Sequence, residues 1–175
     1  MIPQEFVKKF MILFALIRKI KKFAWQILWV FRNFSQAIFL PKIKSHECDG
    51  LIFEGLEKTD FSRAMKIYKN LNNVKRISIE FLYLYRIFGN KLCFVAKNKK
   101  NEIIAVEFYY FNKRDIKEHT VHQSFRGVIP EYRRRGIATT LTSYVIEHFT
   151  TTKVQGISSR VSLSNEGRKI AVSMK

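Results

Sequence analysis

The stretch Gly127-Val128-Ile129-Pro130-Glu131-Tyr132-Arg133-Arg134-Arg135-Gly136-Ile137-Ala138 restricts the fold more than any other part of the chain. The segment His119 to Val128 leads into it as a strand, and Pro130 stops that strand by removing a backbone donor. From Gly136 onward, Ile137, Leu141, Tyr144, Val145 and His148 recur at helical spacing. A strand that passes through a basic turn into a helix start makes an anion site. First-turn N–H groups lack carbonyl partners, and the helix dipole favours negative charge there. Gly136 permits close backbone approach, Ala138 leaves the next turn open, and the arginines offer charge to phosphate oxygens.

The whole chain shares this bias, with 32 Lys+Arg against 14 Asp+Glu and a formal charge of +18. Such a field favours phosphorylated cofactors, acidic lipid head groups or nucleic acid. A nucleic-acid surface calls for aromatic and basic residues interleaved on an exposed sheet, whereas the phosphate site already accounts for the arginine triplet. Nucleic acid is therefore not the expected partner. Cys48 and Cys93 are far apart and outside metal-ligand spacing, so no zinc site, other metal or disulfide is expected.

Residues Phe6 to Leu40 contain no glycine or proline and are heavily apolar. Lys8, Lys9, Arg18, Lys19, Lys21, Lys22 and Arg32 interrupt the run below the ~20 uncharged residues a membrane span requires. On a helical projection Gln4, Lys8, Lys19, Lys22, Gln26 and Asn33 gather on one stripe, with Trp25 and Trp29 near it. Phe6, Phe10, Leu13, Ile17, Ile20, Ala24, Leu28, Phe31 and Ile38 fill the opposite arc. This predicts a helix lying in an anionic membrane surface, on the inner face of the cell membrane, or one that packs its apolar face on protein. A secretory signal fits less well, because basic residues recur and no small-residue cleavage site follows. Pro41 ends the helix and Lys42 to Gly50 reads as a linker, giving a division into residues 1–46 and 47–175.

From Leu51 short apolar runs alternate with helical ones, the pattern of a mixed α/β domain. Strands are expected at Leu51 to Glu54, Leu92 to Ala96, Ile103 to Phe111, His119 to Val128 and Val154 to Val161. Helices are expected from Thr59 or Asp60 to Leu71, from Val74 to Phe88 with Gly89-Asn90 as its stop, and from Gly136 to Phe149. A last helix begins after Asn165.

Arg133, Gly136 and Ala138 fit the three defining places of R/Q-x-x-G-x-G/A, and the segment resembles the pyrophosphate-binding motif of the GNAT N-acetyltransferase family. Val128-Ile129-Pro130 matches the family's V-x-P at the end of its fourth strand, and Asn165 follows a strand where the family often has a cofactor-facing asparagine. The resemblance runs from about Leu51 to the C-terminus. It implies an α+β fold with a mixed, mostly antiparallel central sheet flanked by helices, preceded here by the long amphipathic helix. It also implies an N-acyltransferase that uses acetyl-CoA or another acyl-CoA, or an acyl carrier protein as alternative donor. The acceptor would be an amine on a small molecule, sugar nucleotide or lipid-linked substrate.

Carried over residue by residue, the backbone of Arg126 and Val128 would pair with the pantetheine amides. The amides from Arg133 through Arg134, Arg135, Gly136, Ile137 and Ala138 to Thr139 would hold the pyrophosphate, and Asn165 would touch the pantetheine arm. The Val128 N–H would meet the thioester carbonyl, and His122 or Glu107 would act as general base with Ser124 positioning water. His122, Ser124, Arg126 and Val128 share one strand face if the strand is regular. The family's closing strands and its proton-donating tyrosine have no counterpart before Lys175, which leads to the expectation of a fragment or a shortened homologue. A catalytically incomplete, membrane-associated binding module is the alternative.

Overall fold

A computed structural model describes the chain over residues 4–160, with side chains of residues 4–9 and 12 left aside. Helix α1 (Gln4–Ala37) leads into a hairpin of β1 (His46–Cys48) and β2 (Leu51–Gly55), followed by α2 (Phe61–Leu71) and α3 (Ile79–Leu92). Strands β3 (Cys93–Lys97) and β4 (Ile103–Tyr110), the one-turn α4 (Lys113–Lys117), β5 (Thr120–Val128), α5 (Ile137–Thr150) and β6 (Gly156–Ser159) complete it. The six strands lie in sequence order in one sheet, antiparallel up to β5, with β6 parallel to β5.

Strands β3 and β4 are buried along nearly their whole length, so both faces of the sheet are covered. Tyr68 of α2 and Phe81 and Tyr85 of α3 pack on Phe108 from one side. Tyr144, His148 and Phe149 of α5 pack on Phe94 from the other. Alternation along the pleat puts Phe108 and Glu107 on opposite faces, which gives each helix layer its own set of strand residues.

Four expectations are revised. The segment taken as linker holds β1, because Asp49 and Gly50 both adopt left-handed φ (52° and 71°) and close a two-residue hairpin. Helix α3 starts later than expected and runs through Gly89-Asn90 with a kink at Phe88. Gly89 lies against Leu56, where an added Cβ would come within 3.0 Å of the Leu56 carbonyl oxygen, so close packing rather than a stop accounts for this glycine. Helix α4 was not foreseen. Most consequentially, α1 docks by the stripe that looked polar: Trp29, Asn33 and Ala37 are buried, whereas Leu28 and Phe31 of the apolar arc are exposed. Asn33 is satisfied by Phe111 and Gln26 reaches Glu80, so polar groups join the packing of Trp29 on Tyr110 and of Phe34 on Phe88 in holding the helix to the domain.

Candidate functional site

Strand β6 accompanies β5 only over Thr120 to Gln123. From Ser124 to Val128 the same edge of β5 has no strand partner among the described residues. Which backbone groups face this opening follows from the β4 register. The Ile129 N–H donates to Ile104 O at 2.9 Å, so hydrogen-bonded and non-bonded pairs alternate from there. Gly127 opposite Val106 is bonded to β4, while Val128 opposite Ala105 and Arg126 opposite Glu107 turn their N–H and C=O groups away from it. Arg126 and Val128, singled out from the sequence, thus face the gap. The Val128 carbonyl already accepts Arg133 Nε at 3.0 Å, leaving its N–H open.

Beyond the gap the chain makes a single 3-10 turn over Pro130–Tyr132 and passes through left-handed φ at Arg134 (59°) and Gly136 (76°). The first bond of α5 is Thr140 N–H to Gly136 O at 3.0 Å. Every backbone N–H from Arg134 to Thr139 is therefore without an acceptor among the described residues, and these donors lie at the positive end of α5. A Cβ on Gly136 would meet nothing within 4 Å, so the space in front of this cradle is open. Of the arginines, Arg133 is tied to Val128 and Arg135 lies 5.0 Å over the Tyr132 ring. Arg134 has no such engagement among the described residues. The donors and the free β5 edge fit a phosphorylated cofactor with an amide-bearing arm. Asn165 lies outside the described residues.

His122 and Arg126 do not share a face. Phe125 opposes Phe108 and Gln123 opposes Tyr109, so Ser124 is an extra residue, a bulge that resets the alternation. Ser124 Oγ donates to the Phe108 carbonyl at 3.0 Å. Gln123 and Arg126 consequently join Glu107 and Tyr109, while His122 lies opposite Tyr110, its ring 4.9 Å away.

Around His122 the hydrogen atoms can be assigned. Asp115 Oδ1 accepts Ser158 Oγ at 2.6 Å and Thr120 Oγ1 at 3.0 Å, and Oδ2 accepts the Asn112 N–H at 2.9 Å. Burial favours the protonated acid, but the bonds from Ser158 and Asn112 outweigh it and hold Asp115 below its ordinary pKa. A carboxylate only accepts, so Ser158 has given its hydrogen to Asp115 and can only accept from His122 Nδ1, 2.9 Å away. Nδ1 thus carries the proton and Nε2 the lone pair. Nε2 has no partner among the described residues and is not among the sealed unpaired atoms, so solvent reaches it. Burial lowers the His122 pKa, with Asp115 opposing and Arg160 reinforcing, which favours the neutral ring.

Glu107 has a different setting. It is fully buried, and Oε1 accepts Arg126 Nη2 at 2.8 Å together with Tyr109 Oη and Gln123 Nε2, while Oε2 and Arg126 Nε are sealed without partners. Burial alone would lower the Arg126 pKa, yet Glu107 more than offsets that, so the guanidinium stays charged. Sequence reasoning missed Asp115 and Ser158. Asn112-x-x-Asp115 is a capping pair that marks a helix start, which could have located the aspartate, whereas nothing in the sequence distinguishes Ser158. Among the described residues no cluster of His, Cys, Asp or Glu could hold a metal ion.

Solved structures share this architecture. A diaminobutyrate acetyltransferase from Paenibacillus lautus, in complex with L-2,4-diaminobutyric acid and coenzyme A, is 20% identical with TM-score 0.57, covering 71% of this chain and 74% of that one. An aminoglycoside acetyltransferase from an uncultured soil metagenomic sample, in complex with sisomicin, is 18% identical with TM-score 0.57, covering 73% and 88%. NAA60 of Arabidopsis thaliana in complex with acetyl-CoA is 18% identical with TM-score 0.60, covering 71% and 84%. No curated protein matches the chain. The model of the acetyltransferase (GNAT) family matches residues 61–169, more than half of the chain and all of the cradle and splayed strand, and the protein belongs to that family.

Proposed function

We propose that the protein transfers an acetyl group from acetyl-CoA to a primary amine. The observation that carries this is the run of amides from Arg134 to Thr139 and the adjoining β5 edge at Arg126 and Val128, both without partners among the described residues. The cradle suits the pyrophosphate of coenzyme A, with Arg134 free to add charge, and the edge suits its pantetheine arm. When bound, the cofactor supplies the thioester whose C–S bond breaks as the amine forms its N–C bond. Of the edge groups turned away from β4, the Arg126 N–H is farther from the cradle than Val128 and nearer His122, and would stabilise charge on a carbonyl oxygen in the gap.

An attacking amine must lose a proton, and His122 is the group prepared to take it. Asp115 and Ser158 fix Nδ1–H, so Nε2 presents a lone pair, and burial keeps the ring neutral near pH 7. Asp115 and Ser158 act as positioning residues. Glu107 keeps Arg126 charged and the β5 bulge in register, a role in holding the cleft. Solved relatives held with diaminobutyric acid and with sisomicin support an amine as acceptor, and a small molecule, sugar nucleotide or lipid-linked amine fits the same chemistry.

Thermal denaturation with acetyl-CoA, followed by thiol release across an amine panel, tests this reading. At about 100 times Kd, ligand binding adds about 2.7 kcal/mol and raises Tm by several degrees. Unchanged melting at millimolar cofactor removes the proposal. A shift without amine-dependent thiol release limits the protein to cofactor binding.

A further inference from the structure

Docking of α1 leaves a large apolar face of the helix uncovered. A helix docked on a domain in water buries its apolar side and shows its polar side. Here Trp29, Asn33 and Ala37, with Val30 and Phe34 packed beside them, mark the docked face, while the arc of Leu13, Ile17, Ile20, Leu28 and Phe31 is exposed along its length, Phe31 at 74%. No lysine or arginine falls within that arc at helical spacing. Lys21 and Arg32 border it instead, whereas Arg18 falls on the side of Trp29.

Contacts Gln26 to Glu80, Phe34 to Phe88 and Lys91 to Ala37 pair α1 with α3 in parallel. Residues before Phe23 therefore reach past the start of α3 by about 1.5 Å each. Alongside, an apolar groove of about 370 Å³ lies between Phe23, Ile27 and Phe31 of α1 and Ile79 and Tyr83 of α3, which extends the apolar face beyond one helix. From Phe6 to His46 there is no Asp or Glu against nine Lys and Arg. No helix among the described residues is long and apolar enough to cross a membrane.

We propose that the outward face of α1, continued by Ile79 and Tyr83, lies in the interface of an anionic bilayer, of the kind that faces the cytoplasm. The apolar arc enters the acyl boundary and the bordering Lys21 and Arg32 meet acidic head groups, the charge complement that favours lipid over an uncharged protein surface. Because Asn33 fixes α1 to the domain, the cleft is carried at a set orientation to the membrane. This inference does not depend on the transferase reading.

The test is co-sedimentation of the full chain with vesicles of phosphatidylcholine alone or with phosphatidylserine, together with light-scattering mass determination without lipid. The unmodified chain is expected to pellet with the anionic vesicles, more weakly as salt rises, and to shift the emission of exposed Trp25 to the blue. The Ile20→Asp/Phe31→Asp variant should bind at least about tenfold more weakly. Both residues point away from the core, so its melting temperature and its response to acetyl-CoA should be unchanged. Equal vesicle binding by both forms, or no binding by the unmodified chain, overturns the proposal. So does a lipid-free oligomer that the double substitution converts to monomer, because a second copy would then cover the arc.

Discussion

Asn33 of α1 and Phe111 of the β4–α4 connection bridge 78 residues of sequence through two hydrogen bonds: Asn33 Nδ2 donates to the Phe111 carbonyl at 3.2 Å, and Oδ1 accepts the Phe111 N–H at 2.6 Å. Asn33 is fully buried, and Nδ2 also donates to Trp29 O at 2.9 Å. Replacing it with leucine leaves a buried N–H and C=O unpaired, each worth about 1–3 kcal/mol. The Asn33→Leu variant should lose about 2–4 kcal/mol in urea unfolding, and α1 should become more readily cleaved by protease. Unchanged stability and cleavage would contradict this anchoring.

Gly136 separates binding from folding. Its φ of 76° favours glycine, but an added Cβ has open space, so alanine should cost only about 1–2 kcal/mol. Gly136→Asp places a carboxylate in front of the amides that would receive phosphate. Calorimetric titration with acetyl-CoA should show binding weakened by more than about hundredfold, while circular dichroism stays native. A Gly136→Asp protein that binds as well as the unmodified one would refute the cradle.

The cradle was legible from residues 127–138 because each feature there is local: a proline stop, a glycine and a helix start dictate geometry within one turn. The sheet positions of β3, β4 and β5 were legible for the same reason. What escaped depends on pairing between distant segments. The Ser124 bulge exists only relative to β4, so nothing within β5 announces that His122 and Arg126 face opposite ways. The docked side of α1 escaped because hydrophobic periodicity says which residues are apolar, not which face the domain offers a partner; Phe111 offered a polar one to Asn33.

The Glu107–Arg126 pair predicts a stability effect. Their side chains are 0% and 21% exposed, so removing one partner strands a charge in the interior. Glu107→Ala should cost about 3–5 kcal/mol, whereas the paired Glu107→Leu/Arg126→Met change should recover much of that loss. A double-mutant cycle in urea measures the coupling. Additive losses would mean that the two charges do not depend on each other.

His122 carries the pH prediction, in two parts. Because its folded pKa is lowered by burial, the acid limb of kcat/KM should fall below 6.5, the ordinary histidine value, and His122→Asn should remove that limb while lowering kcat by about 10²–10⁴. Ser158→Ala frees the tautomer that Asp115 fixes, so it should lower kcat with little change in KM for acetyl-CoA, and Ser158→Thr, which keeps the hydroxyl, should restore most of the loss. For stability, the unfolded chain binds the extra proton in the window between the lowered folded pKa and 6.5. Stability therefore falls as pH drops through that window and is level above it. Burial lowers His148 in the same direction, so the slope of His122→Asn must be subtracted from that of the unmodified chain to isolate His122. Equal slopes together with an acid limb above 6.5 would remove His122 as the neutral base and leave proton removal to another group at the gap.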